Sequence, residues 1–218
     1  MLYQEAEWLS RTLDRIPVVE LSPMLNIGSS TREFRERIQP HIHSLIFTRL
    51  AARGVRAVHC DLKEADGVDI SGDIFDDATL DAMRQVQASS VLCANMFEHV
   101  ENRQSLADRL LSLVPPGGLI ILTVPRSYPY HKDPIDTLYR PSPQALAELF
   151  PNTEIVSGEI INAGSYRDKL AKKPWRLLGH LLRLFTPFYR YQRWQQSVGK
   201  LYWIVHPYQV TCLILKKS

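Results

Sequence analysis

The chain has 218 residues, 45% hydrophobic and 22% charged, with a net charge of +3. That size allows one domain with a real core, and the balance excludes a disordered chain. The small net charge hides an asymmetry, since residues 1–165 carry 15 Lys and Arg against 22 Asp and Glu, whereas residues 166–200 carry nine against one.

Cys60, Cys93 and Cys212 each sit in an apolar run without the paired spacing of a zinc or redox motif, so they read as reduced core residues of a cytosolic protein. Residues 2–16 predict an amphipathic helix with Trp8, Leu9, Leu13 and Ile16 on its apolar side, ended by Pro17 and serving as a lid or packing element. Its Glu5, Glu7 and Asp14 argue against a signal peptide, and no apolar run has the length a membrane crossing requires.

Residues 24–27 read as the first strand, and Gly28, Ser29, Ser30 and Thr31 turn directly into a helix. Ser30 and Glu33 fit a capping box. A strand entering a helix through Gly and small polar residues offers free amides to a ligand. Residues 45–52 predict helix with Gly54 as its stop, and residues 55–60 the second strand, closed by Asp61. Open α/β sheets place a ribose-binding carboxylate at about that strand tip. Residues 68–70 form a brief third strand leading to Gly72, Asp73, Ile74 and Phe75, and Asp77 caps a helix running to about Gln87.

Residues 90–125 read as strand, loop, helix, tight turn and strand. Val91 to Ala94 is apolar, Leu106, Leu110 and Leu113 recur at helical spacing, Pro115-Pro116-Gly117-Gly118 forbids further helix, and residues 119–124 are β-rich. Strands alternating with helices in this way imply a doubly wound parallel sheet. A loop rich in Pro, Tyr and charge follows Pro125, carrying His131, Asp133, Asp136 and Arg140. Ligand chemistry in open sheets gathers at such carboxyl ends. Residues 142–150 then predict a short helix, 154–161 a strand and 209–216 a final strand.

Between the last two strands lies the basic segment. Lys169, Arg176, Arg183 and Arg190 recur every seven residues beside His180, amid Trp175, Phe185, Phe188, Tyr189, Tyr191 and Trp194, with Pro174 suiting a helix start and Pro187 a break. Two helices touching an anionic membrane surface or a lipid-linked substrate fit this mixture. A nucleic-acid partner is not expected.

LNIGSS at 25–30, CD at 60–61, GDIF at 72–75, CANMFEHV at 93–100 and PPGGLIILTVP at 115–125 together resemble the motifs of the class I S-adenosylmethionine-dependent methyltransferases, in the manner of the type 11 group. The resemblance runs from about Met24 to Phe150. YPYHKDPIDTLYRPSPQAL also looks like small methyltransferases that modify surface sugars or lipids. The resemblance implies a Rossmann-like, seven-stranded, mostly parallel sheet with an antiparallel last strand and a helical insertion before it. It implies one domain over residues 1–218, with an N-terminal helix in 1–20 and the insertion at 166–200. It further implies S-adenosylmethionine as cofactor, held by Asn26, Gly28, Ser29, Ser30, Asp61, Asp73, Ile74, Asn95 and Met96.

Methyl transfer needs the nucleophile held in line and sometimes a base. His131 is assigned as that base, Asp136 as its orienter and Arg140 as a clamp for an anionic acceptor, with Tyr128, Tyr130 or Phe97 facing the sulfonium. The chain departs from the family pattern of an acidic residue followed by Gly-x-Gly, since it has Asn26, Gly28 and Ser30. A methyltransferase-like domain that binds without catalysis is therefore the alternative to an O-methylating enzyme. Some related methyltransferases carry Glu-x-x-Glu-His after the fourth strand. Asn95 stands in place of the first Glu, so no metal centre is expected and Glu98-His99 reads as ordering the loop. The expected location is the cytoplasm, with contact to the inner face of a membrane.

Overall fold

The computed structural model describes residues 1–131, 135–173, 175–184 and 191–218. The first half runs α1 (Tyr3–Leu13), α2 (Val18–Leu21), β1 (Met24–Ile27), a π-helical turn (Phe34–Ile38), α3 (Pro40–Ile42), a second π-helical turn (His43–Phe47), α4 (Thr48–Ala52), β2 (Ala57–Asp61), β3 (Ile70–Ser71), α5 (Asp77–Arg84) and β4 (Ser90–Ala94). A 3-10 turn (Phe97–His99), α6 (Arg103–Ser112), β5 (Leu119–Ser127), α7 (Pro143–Ala147), β6 (Thr153–Asn162), α8 (Tyr166–Lys172), α9 (Trp175–Leu184), α10 (Tyr191–Val205) and β7 (Gln209–Lys217) complete it.

The seven strands form one sheet in the order β3-β2-β1-β4-β5-β7-β6. β1 pairs in parallel with β2 and β4, β3 with β2, and β5 with β4, while β7 runs antiparallel to β5 and β6. The chain leaves β1 toward β2 on one side and returns as β4 on the other. The switch point of the sheet therefore lies between β1 and β4, where carboxyl ends diverge and leave a crevice.

Alternation along the strands explains why both faces are covered. Leu25, Ile27, Val91, Cys93, Ile120 and Leu122 point to one face, under Leu80 and Met83 of α5 and Leu106 and Leu110 of α6. Met24, Leu92, Ile121, Cys212 and Ile214 point to the other, under Trp8, Leu9 and Leu13 of α1, Ile46, Phe47 and Leu50. All three cysteines are free and buried.

Several boundaries differ from the sequence expectation for local reasons. Ser30 does not cap the first helix, because its φ of 55° lies in the left-handed region, whereas an N-cap is extended. Thr31 Oγ1 accepts from the Phe34 amide instead, at 3.2 Å. Asp76, not Asp77, caps α5 through the Thr79 amide. Gly54 does stop α4, with φ of 88° and the Val55 amide reaching back to the Leu50 carbonyl at 2.9 Å. Among the described residues the segment before β7 holds three helices, α8 to α10, where two were expected. Among the described residues no helix is long and apolar enough to cross a membrane. The side chains of Lys169 and Arg176, and Asp133, Pro174, Phe185, Pro187, Phe188, Tyr189 and Arg190 entirely, lie outside the described part.

Candidate active site

The switch point holds a cavity of about 210 Å³ lined in part by Asn26, Gly28, Ser29, Ser30, Ala94 and Asn95. Gly28 has φ of 72°, a conformation that costs an L-residue roughly 1–2 kcal/mol. The turn is held from behind. The amides of Gly28 and Ser29 donate to the Cys60 carbonyl at 2.9 and 3.0 Å, and the Ser30 amide to Asp61 Oδ2 at 2.7 Å. These amides therefore point at β2 and its tip and not at a ligand, contrary to expectation. Arg35 completes the brace. Buried to 4% exposure, its guanidinium donates to the carbonyls of Ser29, Ser30 and Gly67.

Asp61 and Asp73 follow along the same edge, since Asp61 pairs with Ser71 and its carbonyl accepts from the Gly72 amide at 3.0 Å. The other Asp61 oxygen accepts from the Lys63 amide at 3.1 Å, and Asp73 Oδ1 from the Phe75 amide at 2.9 Å. Carboxylates holding one bond per oxygen retain acceptor capacity. Ile74 is buried in the core beneath α5 and α6, so its side chain is packing rather than a wall for a ligand. Met96 places its sulfur 3.7 Å from where a Gly28 Cβ would stand. The Asn26 amide lies 3.0 Å from His59 Nδ1. Burial and then the nearby Arg35 cation hold the His59 imidazole down at about 4, so it accepts as a neutral ring.

A second cavity of about 360 Å³ shares Met1, Phe34 and Asn95 with the first, and adds Glu5, Glu98, His99, Tyr128 and His131. Glu5 reaches over from α1, fully buried, and accepts from Asn95 Nδ2 at 2.7 Å and Thr123 Oγ1 at 2.6 Å. This helix thus lies across the ends of β4 and β5. Tyr128 meets His131 edge-on at 5.6 Å between ring centroids. Phe97 is buried in the core and Tyr130 is exposed and outside the lining, so of the three aromatics proposed for the sulfonium Tyr128 is the one that lines this cavity, beside Phe34.

His131 Nδ1 lies 3.2 Å from Asp136 Oδ2. Burial pushes the Asp136 carboxyl up, but the Arg140 guanidinium and the Leu138 and His131 amides outweigh it and hold it at about 2. Arg140 is turned onto Asp136 at 2.7 Å and lines neither cavity, so it is an internal partner, not a clamp open to an acceptor. Glu98, expected to order the loop after β4, sits in the 3-10 turn there. It is fully buried, neither of its oxygens has a hydrogen-bond partner among the described residues, and burial raises it to about 8. One donor atom each of Glu98, His99 and His131 gather within 4.8 Å of one another. Local spacing showed Glu98 and His99 as neighbours but gave no sign of the third member, because His131 arrives from a loop beyond the next strand.

For an adenosyl cofactor the fit is favourable: a left-handed glycine at the switch point, a polar crevice beside it, and two carboxylates with spare acceptor sites on the same edge. No family model matches the chain, and neither does any curated protein sequence. Solved structures do match by fold. Coclaurine N-methyltransferase, bound to N-methylheliamine and S-adenosylhomocysteine, aligns at a TM-score of 0.56 and 14% identity over 98% of this chain and 70% of that one. A protein from Galdieria sulphuraria assigned as a sarcosine dimethylglycine methyltransferase aligns at 0.52 and 12%, over 99% and 86%. YjhP from E. coli aligns at 0.52 and 11%, over 99% and 92%. The chain has the Rossmann-type fold of the S-adenosylmethionine-dependent methyltransferases.

Proposed function

We propose that this chain transfers a methyl group from S-adenosylmethionine to an oxygen atom of a small acceptor carried on a saccharide or a lipid, working as one domain over residues 1–218. The observation that carries the reading is the meeting of Gly28, Ser29, Ser30 and Asn95 at the switch point, with an acid- and base-lined cavity directly beside it. Asn26, Gly28, Ser29, Ser30 and Asn95 would hold the amino-acid end of the cofactor, Asp61 and Asp73 its ribose and adenine, and Met96 an apolar face. Bound there, the cofactor supplies an electrophilic methyl group.

The remaining work falls to the chain's own groups. His131 takes the acceptor's hydroxyl proton, and the ionised Asp136 at 3.2 Å favours the resulting imidazolium. Arg140 is a positioning residue that keeps Asp136 charged. Tyr128 offers its ring to the cationic end of the donor. Met1 and Glu5 close the cavity from the side of α1 and limit water. Incubation with methyl-labelled cofactor and a saccharide or lipid extract tests the reading, and transfer of label to an acceptor is expected. Changing His131 to Ala should lower turnover by about a hundredfold or more with cofactor affinity intact. Loss of affinity instead would make His131 structural.

Exposed Trp175, Leu177, Leu178, Leu181 and Leu182 on α9, within a segment of nine cations and one anion, support contact with the anionic inner surface of a membrane. Co-sedimentation with anionic vesicles should be lost in the double variant Trp175→Ser, Leu178→Ser. Binding that persists would place the contact elsewhere.

One set of contacts favours a second reading, a binding domain without turnover. Asn26 is engaged with His59, and the turn amides with Cys60 and Asp61. Cofactor binding without label transfer to any acceptor class would select it.

A further inference from the structure

We propose that Glu98, His99 and His131 form a binding site for one divalent transition-metal ion, opening into the larger cavity. The first ground is Glu98. It sits in the 3-10 turn after β4, fully buried, with both carboxylate oxygens lacking a hydrogen-bond partner among the described residues. A buried carboxylate left without donors is costly, and a cation removes that cost. The second ground is convergence. The donor atoms of the three residues lie within 4.8 Å of one another, with His99 Nε2 3.7 Å from Glu98 Oε1. Small rotamer adjustments bring such a set to the roughly 2.0–2.2 Å that nitrogen and oxygen ligands take around zinc-sized ions.

The third ground is how the imidazoles are held. His99 Nδ1 contacts the Ile135 carbonyl, and His131 Nδ1 lies 3.2 Å from Asp136 Oδ2. His99 thus has Nδ1 tied to an oxygen and Nε2 left for a ligand, which is how metal-binding histidines are oriented, while the buried Nδ1 of His131 makes no hydrogen bond among the described residues and faces Asp136 at ion-pair distance alone. Arg140 and two main-chain amides fix Asp136 in turn, so the support is rigid. Two imidazoles and one carboxylate suit zinc, manganese, iron(II) or cobalt better than magnesium or calcium. Three protein ligands leave coordination positions open toward the cavity that Glu5, Tyr128 and Asn95 also line.

With the ion in place His131 is a ligand, and an acceptor hydroxyl bound to the ion loses its proton to water instead of to the imidazole. That role rests on reading the cavity as the acceptor site, whereas binding of the ion does not.

The test uses the full chain stripped with chelator and titrated with Co²⁺, followed by calorimetry and by the visible absorption of the bound ion. One Co²⁺ per chain is expected, with affinity falling at least about tenfold in His131→Asn and in His99→Asn. Glu98→Gln should behave alike, and His131→Asn keeps the experiment decisive should the buried Glu98 variant fail to fold. No stoichiometric binding, or binding unaffected by all of these substitutions, overturns the proposal. A parallel titration with S-adenosylmethionine separates the two claims: Co²⁺ binding without cofactor binding sinks the proposed methyl transfer and leaves the metal site standing, and the reverse result does the opposite.

Discussion

At the scale of single residues, one buried and one half-buried basic group, Arg35 and His59, set the shape of the crevice. Arg35 braces the turn after β1 through three carbonyls, and no aliphatic side chain can replace those bonds. Arg35→Met should therefore lower stability by about 2–4 kcal/mol in urea denaturation, chiefly through carbonyls left without donors. An unchanged midpoint would mean that water takes over the brace. His59 makes a pH prediction. Its folded pKa of about 4 lies below the unfolded value near 6.5, so its contribution is present in full above pH 6.5 and is lost as pH falls toward 4. The loss is on the order of 2–3 kcal/mol, allowing for the ring's partial exposure. Stability measured across that window should fall less steeply in His59→Gln than in the parent chain. Equal slopes would assign the acid sensitivity to other groups.

At the scale of elements, periodicity made the strands and most helices readable, because each strand alternates between two covered faces and each covering helix repeats its leucines toward one of them. The ends of elements were less readable. Ser30 satisfies a capping pattern in sequence yet adopts a left-handed φ, since the chain must turn there so that its amide can meet Asp61. Asp76 and Asp77 are adjacent acids, and only the backbone shows which one faces the Thr79 amide. Asp76→Ala should cost about 1 kcal/mol and Asp77→Ala much less, as judged from thermal unfolding. The N-terminal helix was readable as a lid or packing element, but its anchor was not. Glu5 is an ordinary helical acid in sequence and becomes the link to Asn95 and Thr123 only through the fold. Glu5→Ala should raise amide exchange across α1 while leaving the exchange of β4 and β5 nearly unchanged, and uniform protection would mean that Trp8, Leu9 and Leu13 alone hold the helix.

At the scale of the molecule, the sheet order accounts for where chemistry collects. Reversal of the strand order between β1 and β4 opens a crevice at their carboxyl ends, and the loops after β4 and β5 bring Glu98, His99, Tyr128 and His131 to its rim. Gly28, Asp61 and Asp73 were legible as one edge because each closes a strand or the short turn after it. The pairing of Arg140 with Asp136 and the grouping of Glu98 with His131 were not, since side-chain direction within an irregular loop leaves no periodic trace. The central claim is that this crevice accepts an adenosyl sulfonium. Calorimetric titration of the chain with S-adenosylmethionine tests it most directly: the account predicts saturable one-to-one binding, weakened at least about tenfold by Asp61→Ala in a chain that still unfolds cooperatively. A folded chain that releases no heat, or one whose affinity ignores Asp61, would contradict it.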